Sequence, residues 1–383
     1  MRMATLTEEQ QMIVETAAQY ASDRLRPNAA QWEQAKEMSR EVLKELGELG
    51  FGGIYAREDI GGSGLSRLDA VLIFEELSKG DISHATFLSI HNMCTWMVDS
   101  FGSDYLRQEY GTRMTSCDLI GSYCLTEPGS GSDAASLKTT AKRDGDEYVL
   151  NGSKVFISGA GFSDVYIVMA RTGDAGPKGI SCFLVEKGTP GLEFGKNERK
   201  MGWNAQPTRM VMFDDCRIPV KNRLGEEGEG FTFAMKGLDG GRLNIAAASL
   251  GGAEEAMSRA IAYAQDRTQF GTAIADFQAT QFKLADMATE IEAARELLYA
   301  AARKLDAGDP GATSACAMAK RFVTDMGSKV ANDALQIHGG YGYLSEYEVE
   351  RIVRDLRVHQ ILEGTNEIMR VIISRKLMSD NRR

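Results

Sequence analysis

Apolar residues recur every three or four positions over roughly the first 120 residues, the period of helices that each bury one face. Thr7 and Gln10 stand at capping-box spacing, and Met12, Ile13, Ala17 and Tyr20 follow as one helix face. A second helix is predicted over 39–49 and is closed by Gly50. A Gly-Gly-Ser-Gly loop at 61–64 precedes helical spacing over 68–77, and 84–96 reads as a further buried helix. Near Ile120 the texture changes. Residues 147–157 predict a hairpin turning at Asn151-Gly152, and 164–170, 179–186 and 208–213 predict further strands. From Gly230 onward helical spacing returns with longer runs. Leu284, Met287, Ile291, Ala294, Leu298 and Ala301 lie three or four apart. A helix of about 25 residues spans roughly 37 Å, a length suited to a bundle. Asp309-Pro310 breaks that run, 315–337 forms another long helix, and Gly339-Gly340-Tyr341-Gly342-Tyr343 turns the chain. Ile368, Met369, Ile372, Ile373 and Leu377 are spaced as one buried face of a last helix. The pattern predicts an α+β chain in the order of an all-α N-terminal domain (1–120), a middle β domain (121–225) and a C-terminal helical bundle (226–383).

Composition narrows the class. Of 383 residues, 43% are apolar and 26% charged, as in an ordinary soluble globular protein. The net charge of −10 argues against nucleic acid as the main partner, because phosphate backbones need a basic face. Cys94, Cys117, Cys124, Cys182, Cys216 and Cys316 are widely spaced and form no CxxC pair, so neither a zinc site nor a disulfide framework is expected. No apolar signal segment and no 18-residue apolar run is present, so no membrane span is expected. The expected compartment is the cytoplasm, or the mitochondrial matrix if a presequence was removed. His84 and His91, seven apart, are expected to pack and hydrogen-bond inside the core. A di-iron bundle needs Glu-x-x-His pairs. The residues three before His84, His91, His338 and His359 are Asp81, Leu88, Leu335 and Leu356, so no metal is expected.

Candidate chemistry concentrates in five places. Glu363 lies in an apolar and small-residue stretch, directly before Gly364 and the good helix starters Thr365 and Asn366. That places it on a short loop before the last helix. Apolar neighbours disfavour the charged carboxylate and raise its pKa toward useful basicity. A base that removes a weakly acidic C–H proton needs that setting; a solvated loop acid is the other reading. Residues 123–133, Tyr-Cys-Leu-Thr-Glu-Pro-Gly-Ser-Gly-Ser-Asp, offer small residues, free N–H groups and the hydroxyls of Thr126 and Ser132 to a phosphate or flat ring. Neither a dinucleotide fingerprint nor a P-loop is present, and a plain turn is the alternative. In Leu238-Asp239-Gly240-Gly241-Arg242, Arg242 either faces an anion or pairs with Asp239 at the surface. Arg267-Thr268-Gln269-Phe270-Gly271, followed by Phe277-Gln278, groups an arginine, a glutamine and aromatics that could hold a pyrophosphate and a ring. Gln336-Ile337-His338-Gly339-Gly340 is a helix end running into a Gly turn, which a Gly C-cap also explains.

Taken in order, and with Phe156-Ile157-Ser158, these motifs resemble those of the acyl-CoA dehydrogenases over nearly the full chain. Residues 355–370 are most similar to the isobutyryl-CoA branch of that family, and 238–242 fits the same branch. The resemblance implies a middle β-barrel or β-sandwich domain, a C-terminal four-helix bundle, and FAD bound tightly and non-covalently. By it, Tyr123, Leu125, Thr126, Gly131, Ser132, Phe156, Ile157 and Ser158 line the flavin. Arg267, Phe270 and Gln278 reach the FAD of a neighbouring subunit together with Gln336, Ile337, Gly339 and Gly340, which implies a homotetramer built as a dimer of dimers. Thr365, Asn366 and Glu367 approach the adenosine side. Thr268 stands where members often carry a basic residue, a departure within the pyrophosphate contact. Glu363 is the implied catalytic base. One branch places its base in the segment aligned with 238–242, but the aligned residue here is Gly241, which cannot act as one. Ser132, Asp239, Arg242, Gly364 and Arg370 are the implied substrate contacts. The implied reaction is α,β-dehydrogenation of a short branched acyl-CoA, isobutyryl-CoA to methacrylyl-CoA in valine breakdown. Glu363 takes the α-proton and a β-hydride passes to the flavin. The Glu363 N–H and the FAD ribityl hydroxyl hold the thioester oxygen, and electrons leave to an electron-transfer flavoprotein. Butyryl-CoA or 2-methylbutyryl-CoA is the runner-up, since one methyl group gives only ~1–3 kcal/mol of discrimination. A flavin oxidase or monooxygenase on the same scaffold is disfavoured by the presence of Glu363.

Overall fold

A computed structural model describes residues 2–381. The N-terminal part is helical: α1 (Glu8–Tyr20), α2 (Ala29–Ala35), α3 (Arg40–Glu48), α4 (Arg67–Gly80), α5 (Ile82–Phe101) and the short α6 (Asp104–Leu106) and α7 (Thr112–Thr115). Helix starts follow local chemistry. The Thr7 hydroxyl accepts the Gln10 N–H and the Gln10 side chain accepts the Thr7 N–H; Ser66 and Asp69 repeat the device at α4. Gly50 leaves α3 at φ 79°, as expected of a residue closing a helix. The buried stripe of α1 is rotated from the predicted one. It runs through Val14, Ala17 and then Ala21, while Met12 points to solvent. His84 and His91 do hydrogen-bond inside the core. His84 Nδ1 lies 2.6 Å from Asp81, and His91 lies 2.8 Å from the Met114 carbonyl and accepts the Gly121 N–H at 3.0 Å.

The middle part holds β1 (Gly121–Cys124), β2 (Thr140–Asp144), β3 (Glu147–Ser158), β4 (Val165–Arg171), β5 (Ile180–Glu186), β6 (Leu192–Phe194), β7 (Thr208–Pro219) and β8 (Arg223–Leu224). They form one sheet in the order β6-β7-β3-β2-β4-β5-β8, with β1 alongside β4. The hairpin turn does not fall at Asn151-Gly152. The chain reverses at Gly145-Asp146, where Asp144 opposes Glu147. Asn151-Gly152 lies inside β3, where pairing with β7 shifts between Leu150 and Gly152. Gly152 has φ 144°, and a Cβ there would stand 2.6 Å from Thr139 Oγ1. Glycine serves a bulge and a close approach here, not a reversal.

The C-terminal part is α8 (Gly230–Asp266), a small hairpin of β9 (Thr268–Gln269) and β10 (Thr272–Ala273), then α9 (Gln278–Asp306), α10 (Ala312–His338), α11 (Val349–Arg357) and α12 (Asn366–Asp380). The long α8 packs against α4 and α5 as well as α9 and α10, so the two helical parts share one core. On α9, Met287, Ile291, Ala294, Leu298 and Ala301 are buried as the spacing predicts. α12 departs from expectation. Only Asn366 and Met369 are buried, Ile368, Ile372 and Ile373 are half-buried, and Leu377 is exposed. A single chain gives α12 α10 as its main neighbour, too little to cover its apolar face.

Candidate functional site

α12 begins at Thr365, whose hydroxyl accepts the Ile368 N–H at 3.3 Å. The two residues before it, Glu363 and Gly364, have φ 53° and 90°. Left-handed backbone is uncommon for a residue with a side chain. That conformation lays the Glu363 carboxylate on α8, where a Cβ built at Gly241 would lie 2.2 Å from Oε2. Gly241 therefore makes the room that Glu363 occupies. Oε2 is buried and has no hydrogen-bond partner. Burial is the largest influence on this carboxyl and raises its pKa to about 7, against the lowering pull of Lys320 and Arg242.

Arg242 and Asp239 do pair, at 2.6 Å, but the pair is buried beside Glu363 rather than at the surface. Asp239 also accepts the Thr313 hydroxyl at 2.7 Å, and Arg242 Nε lies 3.4 Å from the Glu363 carbonyl. Arg242 thus braces the loop with its charge already balanced. Across the loop, Lys320 of α10 is fully buried and donates to the Gly364 carbonyl at 2.8 Å and to Asn366 Oδ1 at 2.9 Å. Burial pushes its ammonium down to about 8. The Asn366 amide donates in turn to Asp325 at 2.8 Å and Thr324 at 3.0 Å, so this side chain is turned toward α10. Glu367 and Arg370 are exposed. Lys320 escaped the reading of the sequence. Its only signal there is being the first charged residue after the small-residue run 312–319.

Three further side chains come from the N-terminal part. Arg67, at the start of α4, stacks with its guanidinium carbon 3.6 Å from the Tyr55 ring centroid and 5.0 Å from that of Trp96. A Cβ at Gly240 would stand 2.3 Å from Arg67 Nη1. Adjacent glycines of α8 therefore seat a guanidinium and a carboxylate on neighbouring positions.

The β side supplies a different surface. The Tyr123 hydroxyl is buried without a partner, and the Glu363 charge bears on it. The Val155 N–H donates to the Thr126 carbonyl at 2.9 Å and ties 123–132 to 156–158. Beneath them Lys154 pairs with Glu127 at 2.8 Å and donates to the Leu125 carbonyl at 3.1 Å. Leu125 and Ile157 are buried, Thr126 and Ser158 half-buried, and Gly131 and Ser132 exposed. The Ser158 hydroxyl accepts from Gln206 at 2.6 Å. Phe156 sits at φ 58° and is 69% exposed. An orphaned buried hydroxyl, an aromatic face held outward by left-handed backbone, and the open space around Gly129 and Gly131 fit a flat, hydrogen-bonding cofactor of the FAD type.

A second place gathers the remaining motifs. A cavity of about 380 Å³ is lined by Arg267, Ile337, Gly339 and Gly340 together with Tyr263 and Tyr341. It shares no lining residue with the Glu363 site. Gln278 and Gln336 are exposed, and Phe270, at the hairpin tip with φ 53°, is 98% exposed.

Three family models match along the chain: the acyl-CoA dehydrogenase N-terminal domain over residues 7–118, the middle domain over 122–216 and the C-terminal domain over 228–378. The chain belongs to the acyl-CoA dehydrogenase family. It is 55% identical to the mitochondrial isobutyryl-CoA dehydrogenase of Dictyostelium discoideum, over 98% of this chain and 91% of that one. Identity to the mitochondrial isobutyryl-CoA dehydrogenase of Bos taurus is 52%, over 98% and 90%. A solved chain described under the electron transferring flavoprotein of Acidaminococcus fermentans superposes with a TM-score of 0.95 at 45% identity, covering 98% of this chain and 99% of that one. In this acyl-CoA dehydrogenase, among the described residues, no group of His, Cys, Asp and Glu could hold a metal, and no helix is long and apolar enough to cross a membrane.

Proposed function

We propose that this acyl-CoA dehydrogenase converts isobutyryl-CoA to methacrylyl-CoA in valine breakdown, with FAD as cofactor. One observation carries the reaction type: the Glu363 carboxylate, with Oε2 buried and unpartnered against Gly241 and its pKa raised to about 7. The substrate rests on the likeness to two isobutyryl-CoA dehydrogenases. Bound FAD supplies the acceptor for the hydride that leaves Cβ. The chain's own residues do the rest. Glu363 takes the α-proton as the Cα–Cβ double bond forms, and its N–H donates to the thioester oxygen as negative charge develops there. Arg242 and Lys320 hold the loop that carries both groups. Tyr123, Leu125, Thr126, Gly131, Ser132 and 156–158 hold the cofactor ring, and Thr365, Asn366 and Glu367 lie toward its adenosine side. Ser132, Asp239, Arg242, Gly364 and Arg370 flank the acyl-CoA. The Arg267 cavity with Phe270, Gln278 and Gln336 serves a neighbouring subunit of a homotetramer; the exposure of Phe270, Phe282, Tyr343 and Leu377 supports an assembly that covers them. Electrons leave to an electron-transfer flavoprotein.

The test is anaerobic flavin bleaching with isobutyryl-, butyryl-, 2-methylbutyryl- and isovaleryl-CoA. Bleaching is expected to be fastest with isobutyryl-CoA. Glu363→Gln should slow it by about 10²–10⁴-fold with flavin still bound. A preference for butyryl-CoA keeps the reaction and sinks the valine assignment. Undiminished bleaching by Glu363→Gln removes Glu363 as the base.

A further inference from the structure

Lys320 is a fully buried ammonium with no carboxylate at ion-pair distance among the described residues. It donates to two neutral oxygens, the Gly364 carbonyl at 2.8 Å and Asn366 Oδ1 at 2.9 Å. Burying a charge without a counter-charge beside it is costly. Both acceptors belong to the turn that carries Glu363, one on the next residue and one at the first residue of α12. Asn366 is held in place for this contact by Thr324 and Asp325, one turn along α10 from Lys320. The ammonium therefore grips the residue directly after the base, and its charge bears on the base's carboxylate.

We propose that Lys320 is a positioning residue for the reaction: it fixes the Glu363-Gly364 backbone and lends its positive charge to favour the ionised form of Glu363. This rests on Glu363 being the base. The surroundings offer few substitutes. From α8 come Arg242, neutralised by Asp239 at 2.6 Å, and Asp239 itself. From α4 comes Arg67, stacked on Tyr55 and seated at Gly240. From α10 comes Asp325, from α12 Glu367, and the Tyr55 and Tyr123 hydroxyls face the same space from the N-terminal and β parts. The acids among these oppose ionisation of Glu363. Two cations favour it, Lys320 and Arg242, and of these only Lys320 is not already claimed by a carboxylate.

The experiment is the pH profile of kcat/KM for isobutyryl-CoA on flavin-loaded wild type, Lys320→Met, Lys320→Gln and Lys320→Arg. A second readout is exchange of the substrate α-hydrogen with D2O on anaerobically reduced enzyme, which reports the base without net oxidation. Removing an opposite charge at this range moves a carboxyl by on the order of one pH unit. The acidic limb of both profiles is therefore expected to move up by about one unit in Lys320→Met and Lys320→Gln, and to stay within a few tenths in Lys320→Arg. Asn366→Asp, which keeps Lys320 but pairs it with a new carboxylate, is expected to move the limb the same way, and it tests the same point if the neutral Lys320 variants do not fold. A limb that stays put in the folded neutral variants, or in Asn366→Asp, overturns the proposal, even where the rate itself falls. Failure of the parent reading looks different: wild type would then show no α-exchange above that of Glu363→Gln.

Discussion

Glu363 holds a charge that its surroundings resist. Its carboxyl is raised from 4.5 to about 7 in the folded chain, chiefly by burial, so the fold prefers the protonated form. The contribution of that form to stability is full below about 4.5 and is lost as pH rises through about 7. Glu363→Gln escapes the loss. Its Tm should exceed that of wild type at pH 8 by scanning calorimetry, and the gap should narrow at pH 6; an equal gap at both pH values would mean that the carboxylate is not desolvated. Catalysis runs the opposite way, and kcat/KM is expected to climb with pH through the same interval. The neighbouring glycine is as constrained as the base. Gly241→Ala puts a methyl 2.2 Å from Oε2 and must displace it. A misplaced base of this kind costs on the order of 10²-fold in rate, while Tm should hold, since alanine favours a helix interior over glycine. Unchanged turnover would show that the carboxylate has slack to move.

Among the elements, what was legible in the sequence is what local chemistry decides. The Thr7–Gln10 cap, the Gly50 stop and the strand spans need only residues a few positions apart. Asn151-Gly152 was misread because the same dipeptide suits a turn and a bulge, and the choice is made by Thr139, the residue just ahead of β2. Gly152→Val should therefore lower stability by about 1–3 kcal/mol in a urea melt, through backbone strain and overpacking; a midpoint equal to wild type would mean that the ribbon shifts register without penalty. The Asp239–Arg242 pair was legible from its spacing, but its burial was not, because α10 and the Glu363 loop provide the cover. Lys320 was invisible for the same reason: its acceptors lie 44 and 46 residues away. The spacing along α12 predicts a buried face, yet in one chain most of it stays uncovered, because whatever covers it lies outside this helix's own neighbours.

At the scale of the whole molecule, the site divides into two places. Glu363, Tyr123 and Phe156 belong to one; Arg267, Ile337, Gly339 and Gly340 line the other. In the proposed homotetramer the second place completes the cofactor site of a neighbour. Phe270→Ser, at a residue that makes little contact within its own chain, should then yield smaller species by light scattering and a lower flavin-to-protein ratio, with helix content intact; an unaltered mass would separate Phe270 from assembly. In that assembly FAD would be held by two chains and so more tightly than by one. Mass action then links the two equilibria. Dilution would then strip cofactor as subunits part, and added FAD would draw them back together. Flavin supply, rather than protein concentration alone, would set how much of the chain exists as enzyme.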